Sequence, residues 1–338
     1  MQVKKEFEER LADISRYDFV KRYVYGSLPE LRETTIQPDE FQVLTIQNDG
    51  TGPATLEVRF RPPTRVFAKL YRDESGAHAY RVLRSLYDDG FGRNDRYEVC
   101  EPLSFDTAKN LLITRGAEGT SLDSYLSLDR NMAMKGVREA AKWLAKLHSS
   151  PIRVGKVDDP WYMFSKLCSR ISKVAVAHPQ ELHTVTPMLA KLEELEGGLV
   201  REEPVQTHGQ FRPVHVFLTD EKVTVVDLDR SRPSDPAKDL AEFIHRMRSE
   251  IFHRSYGMDY ADRLTEAFLS EYSERRPSAL NLAFYQCFHI LVSKCRKMTG
   301  TTKDEPGWER KNSFYASEFD KALASHDGRQ KARGVMAQ

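Results

Sequence analysis

The 338 residues carry 51 Lys and Arg against 50 Asp and Glu, a net charge of +1. That balance gives no electrostatic ground for bulk binding to nucleic acid or to an anionic membrane surface. Hydrophobic residues at 40% and aromatics at 10% supply a real core, which excludes wholesale disorder.

Cys100, Cys168, Cys287 and Cys295 are widely spaced with no C-x-x-C, the pattern of reduced core thiols and not of a disulfide frame or a zinc site. The opening MQVKKEFEERLADISRY has no apolar stretch of signal-peptide type, and no apolar run reaches the length of a membrane span. The expectation is a soluble, cytoplasmic chain of two modest domains or lobes.

Residues 1–34 place Phe7, Leu11, Ile14, Phe19, Val20 and Tyr23 at helical spacing, which predicts an amphipathic helical extension packed on the neighbouring part of the chain. From Phe41 the period becomes two. Phe41–Gln47 and Ala54–Phe60 read as strands joined by a turn at Asn48–Pro53, and Arg61–Thr64 breaks the pattern before a third strand, Arg65–Tyr71. Lys69 lies inside that strand among Val, Phe, Ala and Leu, so its ammonium must reach something polar. A nucleotide phosphate and an exposed sheet edge both meet that need.

Asp73–Tyr87 is predicted to be a helix, with Glu74 at its start, His78 or Arg81 on its facing turns and no glutamate in its middle. Tyr97–Leu103 and Asn110–Arg115 read as strands that close a five-stranded sheet. Gly116 and Gly119 then suit a flexible joint, which puts a boundary near Arg115–Gly119. Beyond it helices dominate: Met132–Ser149 with an apolar stripe, two more between Trp161 and Gly198, then Asp235–Arg248, Tyr260–Glu274, Ala279–Thr299 and Ser313–Ala324. A polar, frayed tail is expected from His326.

The segment Val205–Phe243 carries the chemistry. His208-Gly209 opens a loop, Val214–Leu218 and Val223–Val226 form a strand pair, and Asp227 ends the second strand. An ionised carboxylate there is costly unless it is paired or metal-bound. Asp229 falls on the same side of an extended chain, and Asp235-Pro236-x-x-Asp239-Leu240-Ala241 starts a helix. This order resembles the catalytic segment of aminoglycoside phosphotransferase and choline kinase-like small-molecule kinases. Leu111–Leu122 resembles the same family's interlobe hinge.

The resemblance implies an α+β, bilobal protein-kinase-like fold, with a small antiparallel β-sheet N-lobe (35–116, nucleotide-binding) and a mostly helical C-lobe (117–325), followed by a flexible tail (326–338). It implies ATP under Lys69 with Thr114 and Gly116 at the adenine edge, Mg2+ on Asp227, and His208 and Asp239 as loop-bracing residues. The acceptor would be a small-molecule hydroxyl, met on the variable helices of Trp161–Gly198 and Tyr260–Thr299.

Two positions depart from the family pattern. Gln210 stands where the family has its catalytic aspartate; it can hydrogen-bond a hydroxyl but cannot take its proton. His215 stands where the family has a metal-ligating asparagine; a neutral imidazole can ligate a divalent ion beside Asp227, although Mg2+ prefers oxygen. Arg212 adds a cation to the loop. General acid–base help is worth roughly a hundredfold to ten-thousandfold, so a loop with Gln210, and His215 or Asp229 as substitute base, remains compatible with phosphoryl transfer. The alternative is a catalytically silent kinase-like protein that binds nucleotide or a metabolite and acts through a protein partner.

Overall fold

The computed structural model describes residues 2–14, 16–28, 41–47, 52–60, 65–276, 279–300 and 307–336. The turn expected at 48–51 and the break at 61–64 lie outside the described residues. In chain order the elements are α1 (Gln2–Ile14), α2 (Tyr17–Phe19), β1 (Phe41–Gln47), β2 (Ala54–Phe60), β3 (Arg65–Leu70), α3 (Ser75–Asp88), β4 (Tyr97–Val99), β5 (Pro102–Asp106), β6 (Leu111–Arg115), β7 (Thr120–Ser121) and α4 (Leu122–Leu128). There follow α5 (Arg130–Ser149), α6 (Pro160–Ala177), α7 (Leu182–Gly197), β8 (Val205–Thr207), β9 (Val216–Leu218), β10 (Val223–Val225), β11 (Arg232–Ser234), α8 (Ala237–His253), α9 (Met258–Ser273), α10 (Leu282–Gly300) and α11 (Trp308–Met336).

Two compact units result: Met1–Ser124 with Val214–Ser231, and Tyr125–Pro213 with Arg232–Gln338. The sequence suggested a single break at 116/117. The observed division falls later and gives the β9–β10 hairpin to the first unit, because β10 pairs with β4 and β9 pairs with β7.

In the first unit, β1-β2-β3-β6-β5 form an antiparallel sheet. Its alternating pattern buries Leu56, Val58, Val66, Ala68, Leu70, Leu111 and Ile113 against Phe7, Ile14, Val20, Val24 and Leu28 of the N-terminal segment. Burying each of the larger of these side chains is worth roughly 1.5–3 kcal/mol, so Phe7, Ile14, Val20, Val24 and Leu28 make their segment a structural layer of the unit. A second sheet, β4-β10-β9-β7, is built around the hairpin.

The stretch Tyr97–Leu103, expected as one strand, divides. Tyr97–Val99 runs parallel to β10, while Pro102 opens β5 beside β6 with a register shift between Pro102 and Ser104. A proline cannot donate to a ladder and marks such breaks.

The second unit is helical, with the short β8–β11 pair. Asp129 starts α5 by accepting from the Asn131 and Met132 amides, and Asp159 starts α6 by accepting from Trp161 N, with Pro160 in the first turn. The core holds an aromatic stack: Trp143 on Phe211 at 5.7 Å, Phe211 on Phe243 at 5.1 Å, and Phe243 on Phe268 at 4.3 Å. Helix α11 continues past His326 to Met336, through RQKAR, a run of good helix formers.

Candidate active site

Within the first unit the polar residues that end β3 and β10 converge. Lys69 Nζ lies 2.8 Å from Asp227 Oδ1 and 2.6 Å from Asp229 Oδ2, and the Tyr71 hydroxyl donates to Asp229 Oδ1 at 2.8 Å. Burial pulls the Lys69 pKa down, but Asp229 and Asp227 outweigh it and raise it, so the ammonium stays charged. Burial, reinforced by Asp229, raises the Tyr71 pKa well above that of an ordinary phenol, which keeps the hydroxyl a donor. Asp227 is one of three described non-glycine residues at positive φ, at 67°. Aspartate tolerates that region, and such backbone is enriched at functional positions. Its Oδ2 lies 3.5 Å from His215 Nε2. The backbone is held by Val226 N, which donates to His215 O at 3.0 Å.

Helix α3 contains no glutamate and gives Lys69 no carboxylate. Its His78 instead meets the Ser231 carbonyl through Nε2 at 2.7 Å. Thr114 lies in β6 opposite Phe67 and Pro102. The Gly116 N–H donates to Arg65 O at 2.7 Å, and Arg65 Nη2 donates to Ala117 O at 2.6 Å. The Gly116 amide expected at an adenine edge is thus engaged within the unit.

Within the second unit the loop His208–Pro213 is fixed from below. Asp239 is fully buried at the start of α8; its Oδ2 accepts from His208 N at 2.6 Å and its Oδ1 from Gly209 N at 2.9 Å. Burial would raise its pKa, but His148 and His208 outweigh it, and the carboxyl is lowered and stays ionised. His148 Nε2 lies 3.2 Å from the same carboxylate and Nδ1 lies 2.9 Å from the Tyr272 hydroxyl. Burial lowers the His148 pKa, so the ring is neutral. His148 is therefore a core brace within the last turn of α5. The partner that His208 gives Asp239 is its backbone amide, while its Nδ1 accepts from Gln210 N at 3.3 Å. Gly209, at φ 77°, supplies the left-handed turn between them.

The Gln210 side-chain amide faces the Arg212 guanidinium, and with its oxygen assigned to that side it accepts from Nη1 at 3.2 Å. Arg212 Nε donates to Glu242 Oε1 at 3.0 Å, Arg246 Nε to the same oxygen at 2.8 Å, and His289 Nδ1 lies 2.7 Å from Glu242 Oε2. Burial would raise the Glu242 pKa, but His289, Arg246 and Arg212 hold it well below the usual carboxylate range.

Sequence reasoning gave no role to Tyr71 or Glu242 and read His148 as a helix-end capping residue. Tyr71 follows Lys69 by two residues and Glu242 follows Asp239 by three, spacings that share a strand face and a helix face. Nothing in the pattern separates His148 from its apolar stripe.

Among the described residues no group of three or more His, Cys, Asp or Glu side chains is arranged to hold a metal ion. Nor is any helix among them long and apolar enough to cross a membrane.

No curated protein matches the sequence. Among solved structures, a choline kinase from Cryptosporidium parvum Iowa II is similar, with 11% identity over 92% of this chain and 97% of that chain and a TM-score of 0.61. An aminoglycoside-3'-phosphotransferase of type VIII is 17% identical over 80% and 97%, with a TM-score of 0.55. The amicoumacin kinase hAmiN in complex with AMP-PNP, Ca2+ and Ami is 10% identical over 86% and 90%, with a TM-score of 0.58. These likenesses give the fold: α+β, kinase-like, with an antiparallel N-terminal sheet and a mostly helical C-terminal part. Residues 43–279 match the APH model, described as the phosphotransferase enzyme family, and the chain belongs to that family.

Proposed function

We propose that this chain transfers a phosphoryl group from ATP to a hydroxyl of a small molecule, with a divalent cation. The observation that carries the reading is the Lys69 ammonium, held charged on Asp227 and Asp229 at the ends of two strands. Phosphoryl transfer needs positioning and charge neutralisation more than covalent help from the protein. A charged lysine suits the nucleotide phosphates. Mg2+ is commonly held by one or two carboxylates together with substrate phosphates and waters, so Asp227 fits it as the principal protein ligand. His215, on Asp227 Oδ2, orients that carboxylate better than it would serve as a second ligand. When bound, the cation would neutralise charge on the transferring group.

The acceptor hydroxyl would be met near Gln210, which can accept or donate a hydrogen bond but not take the proton. His215 and Asp229 are the remaining bases of the expected site, and Asp229 is committed to Lys69 and Tyr71. The related structures are enzymes named for choline, an aminoglycoside and amicoumacin. At 10–17% identity none of those acceptors transfers to this chain.

A second reading, a nucleotide-binding protein without turnover, rests on Gln210 itself, whose amide is engaged by Arg212.

The test is thermal stabilisation by ATP with Mg2+ or Mn2+, followed by an acceptor screen. ATP is expected to raise the melting temperature of the wild type and to have little effect on Lys69→Ala or Asp227→Ala. Absence of any nucleotide effect on the wild type would overturn both readings. If ATP binds, product formation on any hydroxyl acceptor supports the kinase. Binding without turnover, unrestored by Gln210→Asp, supports the silent protein.

A further inference from the structure

We propose that Asp229, braced by the Tyr71 hydroxyl, is the residue that positions Lys69 for phosphate binding, the task for which α3 offers no carboxylate. This rests on the nucleotide reading above and adds a division of labour within the Asp227-Leu228-Asp229 triplet.

The observations are all in the first unit. Lys69 bonds both carboxylates, the shorter distance being to Asp229 at 2.6 Å. The two aspartates differ in what else they touch. Asp227 turns its other oxygen to His215, and its side chain is 33% exposed. Asp229 is 20% exposed and gives its other oxygen to Tyr71. Asp227, the more exposed of the two and 3.5 Å from His215 on its other oxygen, is therefore the carboxylate placed to turn toward a cation, whereas Asp229 is bonded to the protein at 2.6 and 2.8 Å on its two oxygens. Once Asp227 is drawn to a metal, Asp229 is the counter-charge that still holds the ammonium.

Tyr71 ties that anchor to α3. Its ring seats against Gly76 in the first turn of the helix, where a Cβ would lie 2.7 Å from Tyr71 Cδ2. Its amide donates to Asn110 O at 3.0 Å, and the Lys69 ammonium lies 5.7 Å from the ring centroid. The helix that gives Lys69 no carboxylate thus contributes a glycine. The glycine admits a tyrosine, the tyrosine holds Asp229, and Asp229 holds Lys69. His78 of α3 reaches the Ser231 carbonyl through Nε2 at 2.7 Å, so the helix also contacts the segment just after Asp229.

The experiment measures binding of a fluorescent ATP analogue with Mg2+ and with EDTA. Asp229→Asn is expected to weaken binding about tenfold or more in both conditions, the loss of one charge-assisted contact. Asp227→Asn should weaken it mainly when Mg2+ is present. Tyr71→Phe should give a smaller loss of the Asp229 type, and His78→Glu in the Asp229→Asn background should recover part of the affinity by supplying a carboxylate from α3.

A second readout needs no nucleotide. Acylation of Lys69, mapped by mass spectrometry, should be slow in the wild type and several-fold faster in Asp229→Asn. Wild-type affinity in Asp229→Asn with unchanged Lys69 acylation would overturn the proposal, as would a loss confined to the Mg2+ condition. Should the wild type bind no nucleotide, the functional reading fails, and the phosphate-positioning role fails with it. Acylation then reports separately whether Asp229 anchors Lys69.

Discussion

His245 sits on α8 with Nε2 2.7 Å from the Ser293 hydroxyl and 4% of its surface exposed. Burial, with Arg246 adding to it, pushes its pKa down from 6.5 to about 3. The unfolded chain therefore binds the proton that the folded chain refuses between those two values, and stability falls as pH drops below about 6.5. The loss from this group alone reaches about 2 kcal/mol at pH 5. His245→Gln, which can still meet Ser293, is expected to show a smaller fall in urea-unfolding free energy between pH 7 and pH 5, by about that amount. Equal falls in both proteins would mean that His245 is solvated or charged in the fold. Residues of this kind mark what sequence could and could not disclose. Lys69 and Asp227 stood out because a charge inside or at the end of an apolar strand needs a partner. For Lys69 the sequence left a nucleotide phosphate or an exposed sheet edge, and the family resemblance chose the phosphate; the structure supplies Asp227 and Asp229. His245 gave no signal, because a histidine on an apolar helix stripe has the same pattern whether it is satisfied, catalytic or idle.

Among the elements, the segment after β6 has the sharpest gap between sequence and structure. Gly116 and Gly119 suggested a flexible joint. In the fold both are places of close approach. A Cβ on Gly116 would lie 2.9 Å from Arg65 Cβ, and one on Gly119, at φ 86°, would fall on the Leu218 carbonyl of β9. Because the obstruction at Gly119 is backbone and the φ is left-handed, no rotamer change relieves it. Gly119→Ala is expected to cost roughly 3 kcal/mol, strain and overpacking together, measured as a drop in denaturant midpoint at unchanged m-value. A cost under about 1 kcal/mol would restore the reading of Gly119 as a loose hinge. The strands themselves were legible from period-two alternation, and the β9–β10 turn from its Thr-Asp-Glu-Lys composition; Thr219 Oγ1 accepts from Lys222 N there at 2.9 Å. What periodicity could not disclose is pairing. Where Tyr97–Val99 lies along β10, Glu98 accepts from Lys222 Nζ at 2.9 Å and from Thr224 Oγ1 at 2.7 Å. Those bonds join residues more than 120 positions apart, beyond the reach of any local pattern.

At the scale of the whole molecule, chain order and structural unit part company. Residues 214–231 come after a long helical stretch, yet they complete the first unit. They supply β10 to β4, β9 to β7, and both carboxylates to Lys69. A fragment of residues 1–124 keeps the five-stranded sheet and its N-terminal layer. It leaves β4 and β7 as exposed edges and Lys69 as a half-buried ammonium without its counter-charges, which is costly. Appending residues 214–231 through a flexible Gly/Ser linker restores all three sets of interactions at a modest loop-closure cost. The joined fragment is expected to melt cooperatively at least about 10 °C above the 1–124 fragment by circular dichroism, a few kcal/mol for a unit of this size. Replacing Asp227 and Asp229 with Asn in the joined fragment should remove part of that gain, which separates the ion pairs from the strand pairing. Equal midpoints for the two fragments would show that the hairpin is only a passenger on the sheet. An intermediate result, abolished by the Asn pair, would assign most of the hairpin's contribution to Lys69. The residues proposed to bind phosphate would then also hold the first unit together.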